Sequence, residues 1–180
     1  MKKTLLEGLL LASFSIILLS THMQAQNTQP RYKDVVIENP DAEADMKVVI
    51  DYVNALIAGD LEKAKSLLAD NFMGYGPAST DSSNAEQTIN GWKEVPKFRT
   101  NQKANFVTQS FRVLAGEFKG NWVSMWGTFS FTQNGKNISF PYQYTVKVTN
   151  GKIERDTIYY DNLFIYQALG YKIVAPEKAN

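Results

Sequence analysis

The 180-residue sequence contains no cysteine. That excludes disulfides, thiolate metal sites, thiol nucleophiles and lipid attachment through an N-terminal cysteine. Histidine is nearly as scarce, the single one being His22. An excess of charge of one sign is also missing, since 19 Lys and Arg stand against 18 Asp and Glu. Nothing electrostatic therefore recommends a nucleic acid as partner. No apolar run reaches the roughly 20 residues that a membrane-spanning helix needs. Gly-rich phosphate loops and carboxylates at metal-ligand spacing are absent as well, because Asp41, Glu43 and Asp45 read as the solvated start of a helix. No metal and no cofactor is expected. What remains, 44% hydrophobic and 21% charged residues, is the composition of an ordinary globular domain.

The N-terminus begins Met1-Lys2-Lys3, continues through an apolar run from Leu9 to Leu19 and reaches Gln24-Ala25-Gln26, the pattern of a secretory signal peptide. Residues 1–25 are expected to be that signal, cleaved after Ala25, although Met23 occupies a position where a small residue is usual. Cleavage removes Lys2, Lys3, Glu7 and His22, leaving a formal charge of zero and no imidazole. A Ser-His-Asp triad and a zinc site with imidazole ligands are then impossible. The expected location is periplasmic or secreted, with no membrane contact after cleavage. Residues 26–40, polar and aperiodic with Pro30 and Pro40, read as a flexible tether, and 41–175 as one domain.

Within the domain, Met46, Val49, Ile50, Val53, Leu56 and Ile57 share one helical face, and Gly59 ends that helix. Asp60 then caps a shorter helix that buries Leu61, Ala64, Leu67 and Leu68. A short strand over Phe72 to Gly76 and a polar loop from Pro77 to Asn84 follow. Ser83 and Glu86 have the spacing of a capping box opening a third helix that carries Ile89, Trp92 and Val95.

The second half is strand-like. Asn134-Gly135 and Asn150-Gly151 lie between alternating apolar runs and read as two-residue hairpin turns, which fix register. Counting outward from the first pairs Phe131 with Ile138, Phe129 with Phe140, Gly127 with Tyr142, Met125 with Tyr144 and Val123 with Val146. Counting from the second pairs Val148 with Ile153, Val146 with Arg155, Tyr144 with Thr157, Tyr142 with Tyr159 and Phe140 with Asp161. A bulge in either hairpin would flip every residue beyond it. A further strand through Phe106 to Leu114 completes an α+β arrangement, three N-terminal helices on a curved antiparallel sheet.

Several features together resemble the SnoaL-like branch of the nuclear transport factor 2-like superfamily. They are the helix break at Ala58-Gly59-Asp60, Gly91-Trp92 in the third helix, Asn150-Gly151-Lys152-Ile153 leading into Tyr159-Tyr160-Asp161, and the ending Gln167-Ala168-Leu169-Gly170. The resemblance implies a cone-like fold with an internal cavity for a small hydrophobic molecule. It also implies that an aspartate can act as acid or base, as in polyketide cyclases, or beside an oxyanion hole, as in ketosteroid isomerases.

The residues pose the same question independently, because Tyr142, Tyr144, Arg155, Thr157, Tyr159 and Asp161 interrupt an otherwise apolar sheet face. A buried hydroxyl without a partner costs roughly 1–3 kcal/mol, so such groups should meet partners, water or a ligand. In the catalytic reading, Asp161 is acid/base on a small carbonyl compound, with Tyr142 or Tyr159 as hydrogen-bond donor. Tyr75, Trp92, Met125, Phe129, Phe140, Tyr144, Arg155 and Thr157 would line the cavity. In the structural reading, Asp161 is only the N-cap of a helix ended by Gly170. Function stays divided between an exported module that binds a small apolar ligand without an assigned reaction and a cofactor-independent isomerase, cyclase or lyase. On the reverse sheet face, Trp122, Trp126, Ile158 and Tyr160 form an aromatic surface expected to pair two copies.

Overall fold

The computed structural model describes residues 30–174. The chain divides into two units, Met1–Tyr32 and Lys33–Asn180, and the elements below belong to the second. The expected signal peptide lies outside the described residues.

The helix α1 spans Ala42–Ala58 and buries Val49, Tyr52, Ala55 and Leu56. Gly59 ends it in the left-handed region, at φ 75°, where glycine carries no Cβ penalty. The Asp60 carboxylate accepts the Lys63 backbone N–H at 3.1 Å and so caps α2, Leu61–Ser66. The third helix, α3 at Ala85–Glu94, is opened by a capping box, but one residue later than expected. Asn84 accepts from the Gln87 N–H and Gln87 accepts from the Asn84 N–H, both at 2.9 Å. Ser83 instead bonds Thr88 at 2.8 Å, because it belongs to a strand.

Seven strands form one sheet: β1 Val36–Ile37, β2 Leu68–Tyr75, β3 Ser82–Asn84, β4 Thr100–Val113, β5 Gly120–Gln133, β6 Lys136–Thr149 and β7 Lys152–Tyr160. Their order is β1-β4-β5-β6-β7-β2-β3. Pairing is antiparallel except between β2 and β7, which run parallel although β3 to β6 lie between them in sequence. The helices pack on the apolar face of this curved sheet, the α+β arrangement expected. At Gly127 on β5 a built Cβ would stand 1.9 Å from the Asn105 carbonyl oxygen on β4. Only glycine admits that approach.

The first hairpin has the register counted from its turn, with Asn134 and Gly135 both at positive φ and every pair from Gln133–Lys136 to Val123–Val146 as expected. The second departs from the count after one step. Val148 pairs with Ile153, but Lys147 then pairs with Arg155, so Glu154 is an extra residue in β7. Its carboxylate accepts from the Thr149 hydroxyl at 2.6 Å and faces Lys147 at 3.3 Å, which anchors the bulge. Every residue beyond it changes face: Val146 pairs with Asp156, Tyr144 with Ile158 and Tyr142 with Tyr160.

Two buried clusters fill the inner face. The larger joins Val49, Tyr52, Leu56 and Phe72 to Val123, Met125, Val146 and Ile153. The smaller packs Phe131, Ile138 and Phe140 against Ile165 of a fourth helix, α4 at Asn162–Leu169. At roughly 1.5–3 kcal/mol per buried large apolar side chain, this burial holds helices to sheet.

The N-terminal stretch also differs from expectation. Residues 36–40 do not hang as a tether: Val36 and Ile37 pair with Val113 and Arg112. Asn39, 2% exposed, donates to Asp45 at 2.7 Å and to Ser110 at 2.8 Å. Asp45 is accordingly buried and also accepts from Asn121 at 2.8 Å, rather than lying at a solvated helix start. Partners this distant in sequence are invisible to a local charge pattern.

The outer sheet face is changed by the bulge as well. Ile158 and Tyr160, expected there, turn inward to the cavity. Trp122 is covered by Phe118, in edge contact at 6.1 Å between ring centres, and donates its indole N–H to the Phe118 carbonyl at 2.7 Å. Trp126 stays exposed and shares a cross-strand row with Val107, Gln143 and exposed Tyr159.

Candidate active site

A cavity of about 600 Å³ opens between α1, the β2–β3 region and the inner faces of β5, β6 and β7. That volume suits a small organic ligand. Of the residues expected to line it, Tyr75, Trp92, Phe129, Phe140, Tyr142 and Tyr144 do so. Tyr75 contributes wall, while its ring lies against the Arg155 guanidinium at 4.7 Å. Met125 does not reach the lining because it is fully buried in the core beneath.

The bulge removes the others. Arg155, Thr157 and Tyr159 alternate onto the outer face, where Tyr159 is 60% exposed and Arg155 packs against Tyr75 and Phe118. Asp161 lies beyond the strand and does not line the cavity. Its carboxylate accepts the Phe164 backbone N–H at 2.8 Å, the N-cap of α4. Of the two alternatives for Asp161, this geometry is the cap.

The bulge brings Asp156 inward in their place. Asp156 lines the cavity and is 8% exposed. Its Oδ2 accepts the Tyr144 hydroxyl at 2.6 Å, and the Tyr75 backbone N–H also donates to the carboxylate. Across the parallel pair its partner is Gly74, where a built Cβ would come within 2.8 Å of Asp156 Oδ1. A bare backbone at 74 therefore makes room for the carboxylate.

Burial pushes the Asp156 carboxyl up to about 6, and the two hydrogen bonds only partly oppose that rise. The same burial, with the aspartate's negative charge added, raises the Tyr144 phenol well above its ordinary range. Tyr52 of α1 is raised for the same two reasons, burial first. Tyr142 is different: burial alone lifts it to about 12, and its buried hydroxyl has no hydrogen-bond partner among the described residues. Tyr142 and Tyr144 are two residues apart on β6 and so project from one face. The arrangement is a protonatable carboxyl near neutrality, a tyrosine that orients it, and a second tyrosine with an unused donor. Such groups can exchange a proton with a bound molecule and stabilise charge developing on an oxygen.

Asp156 is the residue that the hairpin count missed. The signal was in the sequence: after Ile153, apolar residues recur at Ile158 and Tyr160, out of step with strict alternation from Ile153. Among the described residues, no group of three or more His, Asp or Glu side chains is arranged to hold a metal ion.

Comparison with known proteins agrees with this architecture. A family model described as a SnoaL-like domain matches residues 49–155, more than half the chain. No curated protein is matched by sequence. An epoxide hydrolase of Mycobacterium tuberculosis, of the LEH-like type, is similar in structure with a TM-score of 0.58 at 15% identity, over 72% of this chain and 92% of that one. A candidate polyketide cyclase of Pseudomonas putida KT2440 gives 0.57 at 15% identity, over 69% and 96%. A candidate ketosteroid isomerase of Kribbella flavida DSM 17836 gives 0.50 at 14% identity, over 77% and 87%. At these identities the likeness is one of fold.

Proposed function

This chain belongs to the SnoaL-like family, and we propose that its cavity binds a small, largely apolar molecule bearing a carbonyl oxygen. The observation that carries this reading is Tyr142, a cavity-lining residue whose buried hydroxyl has no hydrogen-bond partner among the described residues. An orphaned hydroxyl costs roughly 1–3 kcal/mol, and a ligand oxygen accepting from it removes that cost. The apolar walls, Trp92, Phe129, Phe140 and Ile158, supply the remaining affinity. Export through residues 1–25 belongs to the same proposal.

A catalytic reading has its own support in Asp156. A carboxyl near 6 is half ionised at about pH 6 and largely ionised at neutral pH, so it can take a proton from carbon next to the bound carbonyl and return it elsewhere. Tyr142 would donate to the developing enolate oxygen, while Tyr144 keeps the carboxylate oriented. The reaction class is then isomerisation, cyclisation or elimination without a cofactor, with Asp156 in the role considered for Asp161.

Matched probes test both readings. 1-Acetonaphthone should bind about five- to tenfold tighter than 1-ethylnaphthalene, and Tyr142→Phe should erase the difference. Equal affinity for the two probes in the unaltered protein would refute the binding reading. In D2O, the protein should accelerate exchange of the ketone's methyl protons, and Asp156→Asn should abolish the acceleration. Unaltered exchange in that variant would refute the catalytic one.

A further inference from the structure

Arg99, between the 3-10 turn Val95–Lys97 and β4, lines the same cavity. Its guanidinium lies 4.2 Å over the Phe131 ring and 5.4 Å from the Phe98 ring, and its Nε donates to the Gln133 side-chain carbonyl at 3.2 Å. No Asp or Glu stands within ion-pair distance of it among the described residues. Asp81 also lines the cavity and acts electrostatically on Tyr160, but its carboxylate accepts the Ala78 backbone N–H at 3.1 Å and makes no ion pair with Arg99. Tyr160 and Tyr166 face Arg99, and burial raises the Tyr160 phenol, so no ion pair meets the guanidinium among the described residues. A half-buried guanidinium with terminal N–H groups to spare is a planar, bidentate receptor for an oxyanion.

Among the cavity-lining residues Arg99 is the cation, and it stands apart from Asp156. Asp156 lies opposite Val146, whereas Arg99 covers Phe131, which lies opposite Ile138. Those rows are eight residues apart on β6, about 26 Å of strand before side-chain reach and curvature shorten the gap. An anionic group is repelled from the Asp156 end once that carboxyl ionises and attracted to the Arg99 end. Between the two lie Phe129, Phe140 and Tyr142.

Resting on the binding reading above, we propose that the ligand is an apolar carboxylic acid whose carboxylate pairs with Arg99. Its rings lie on Phe129 and Phe140, and its far, uncharged oxygen is turned toward Tyr142 and Asp156. One orientation is thereby selected over its reverse, a specificity that the tyrosine hydroxyl alone does not supply.

The test uses 1-naphthylacetate and the isosteric, uncharged 1-naphthylacetamide, titrated calorimetrically into the full chain and into Arg99→Gln. The acid should bind about tenfold tighter than the amide, and Arg99→Gln should bring the two within about twofold by weakening the acid alone. Arg99→Lys, which keeps the charge, should retain part of the preference. High salt should weaken the acid and spare the amide, a readout independent of whether either variant folds. Equal binding of acid and amide, or a preference that survives Arg99→Gln, would overturn the proposal and leave the cavity reading standing. Failure of both probes to bind the unaltered protein would defeat the two together.

Discussion

Tyr144→Phe isolates the contact that defines the cavity's chemistry. The substitution keeps the ring and deletes a hydroxyl that donates to Asp156 Oδ2 at 2.6 Å in a buried setting. The folded-state pKa of Asp156 is raised from 3.8 to about 6. Between those values the native chain holds a proton that the unfolded chain has released, so stability falls as pH rises. The contribution is fully present below about 3.8 and lost as pH passes about 6. At about 1.36 kcal/mol per unit, the charged carboxylate costs the fold roughly 3 kcal/mol above that range. The Tyr144 hydroxyl limits this cost by bonding the charged form. Removing it should destabilise the protein by about 2–3 kcal/mol near pH 8, where the acceptor is charged, but by only about 1 kcal/mol near pH 5, where it is protonated. Urea unfolding at the two pH values measures both numbers. An equal loss at each would refute the reasoning, because it would mean that the hydroxyl does not discriminate between the two states of Asp156.

Two further substitutions separate structure from chemistry. Asp161→Ala should cost about 1 kcal/mol of stability through the lost α4 cap while leaving probe binding in the cavity unchanged, as urea unfolding and calorimetry would show. Gly127→Ala should be severe, at least about 3 kcal/mol or failure to fold, since its Cβ has no room beside the Asn105 carbonyl; a soluble variant with unaltered melting temperature would contradict this.

How far the sequence speaks depends on where each signal is stored. The first hairpin was legible to its last pair because Asn134-Gly135 carries its own turn geometry and alternation runs undisturbed through β5 and β6. The N-caps of α2 and α4, Asp60 and Asp161, were legible for the same local reason. The fold followed from these pieces and their order. The site did not, because it hinges on Glu154. One extra residue in β7 exchanges Arg155, Thr157 and Tyr159 for Asp156, Ile158 and Tyr160 at the cavity wall. Its anchors, Thr149 and Lys147, lie across the hairpin rather than along the strand. Read for phase, the sequence favours the bulge, since it buries Ile158 instead of Thr157 and expels a cation. The burial of Asp45 by Asn39 and Asn121 was illegible altogether, being a tertiary network with no local pattern.

The central claim is that Asp156, and not Asp161, is the buried carboxyl of the cavity wall. A carbon-detected NMR titration of the Asp156 side chain in the folded protein tests it directly. The expected midpoint is about 6, with the chemical shift of the Tyr144 ring following the same transition. A midpoint at or below the ordinary 3.8 would contradict it, because a carboxyl so placed would be solvated rather than enclosed in an apolar cavity.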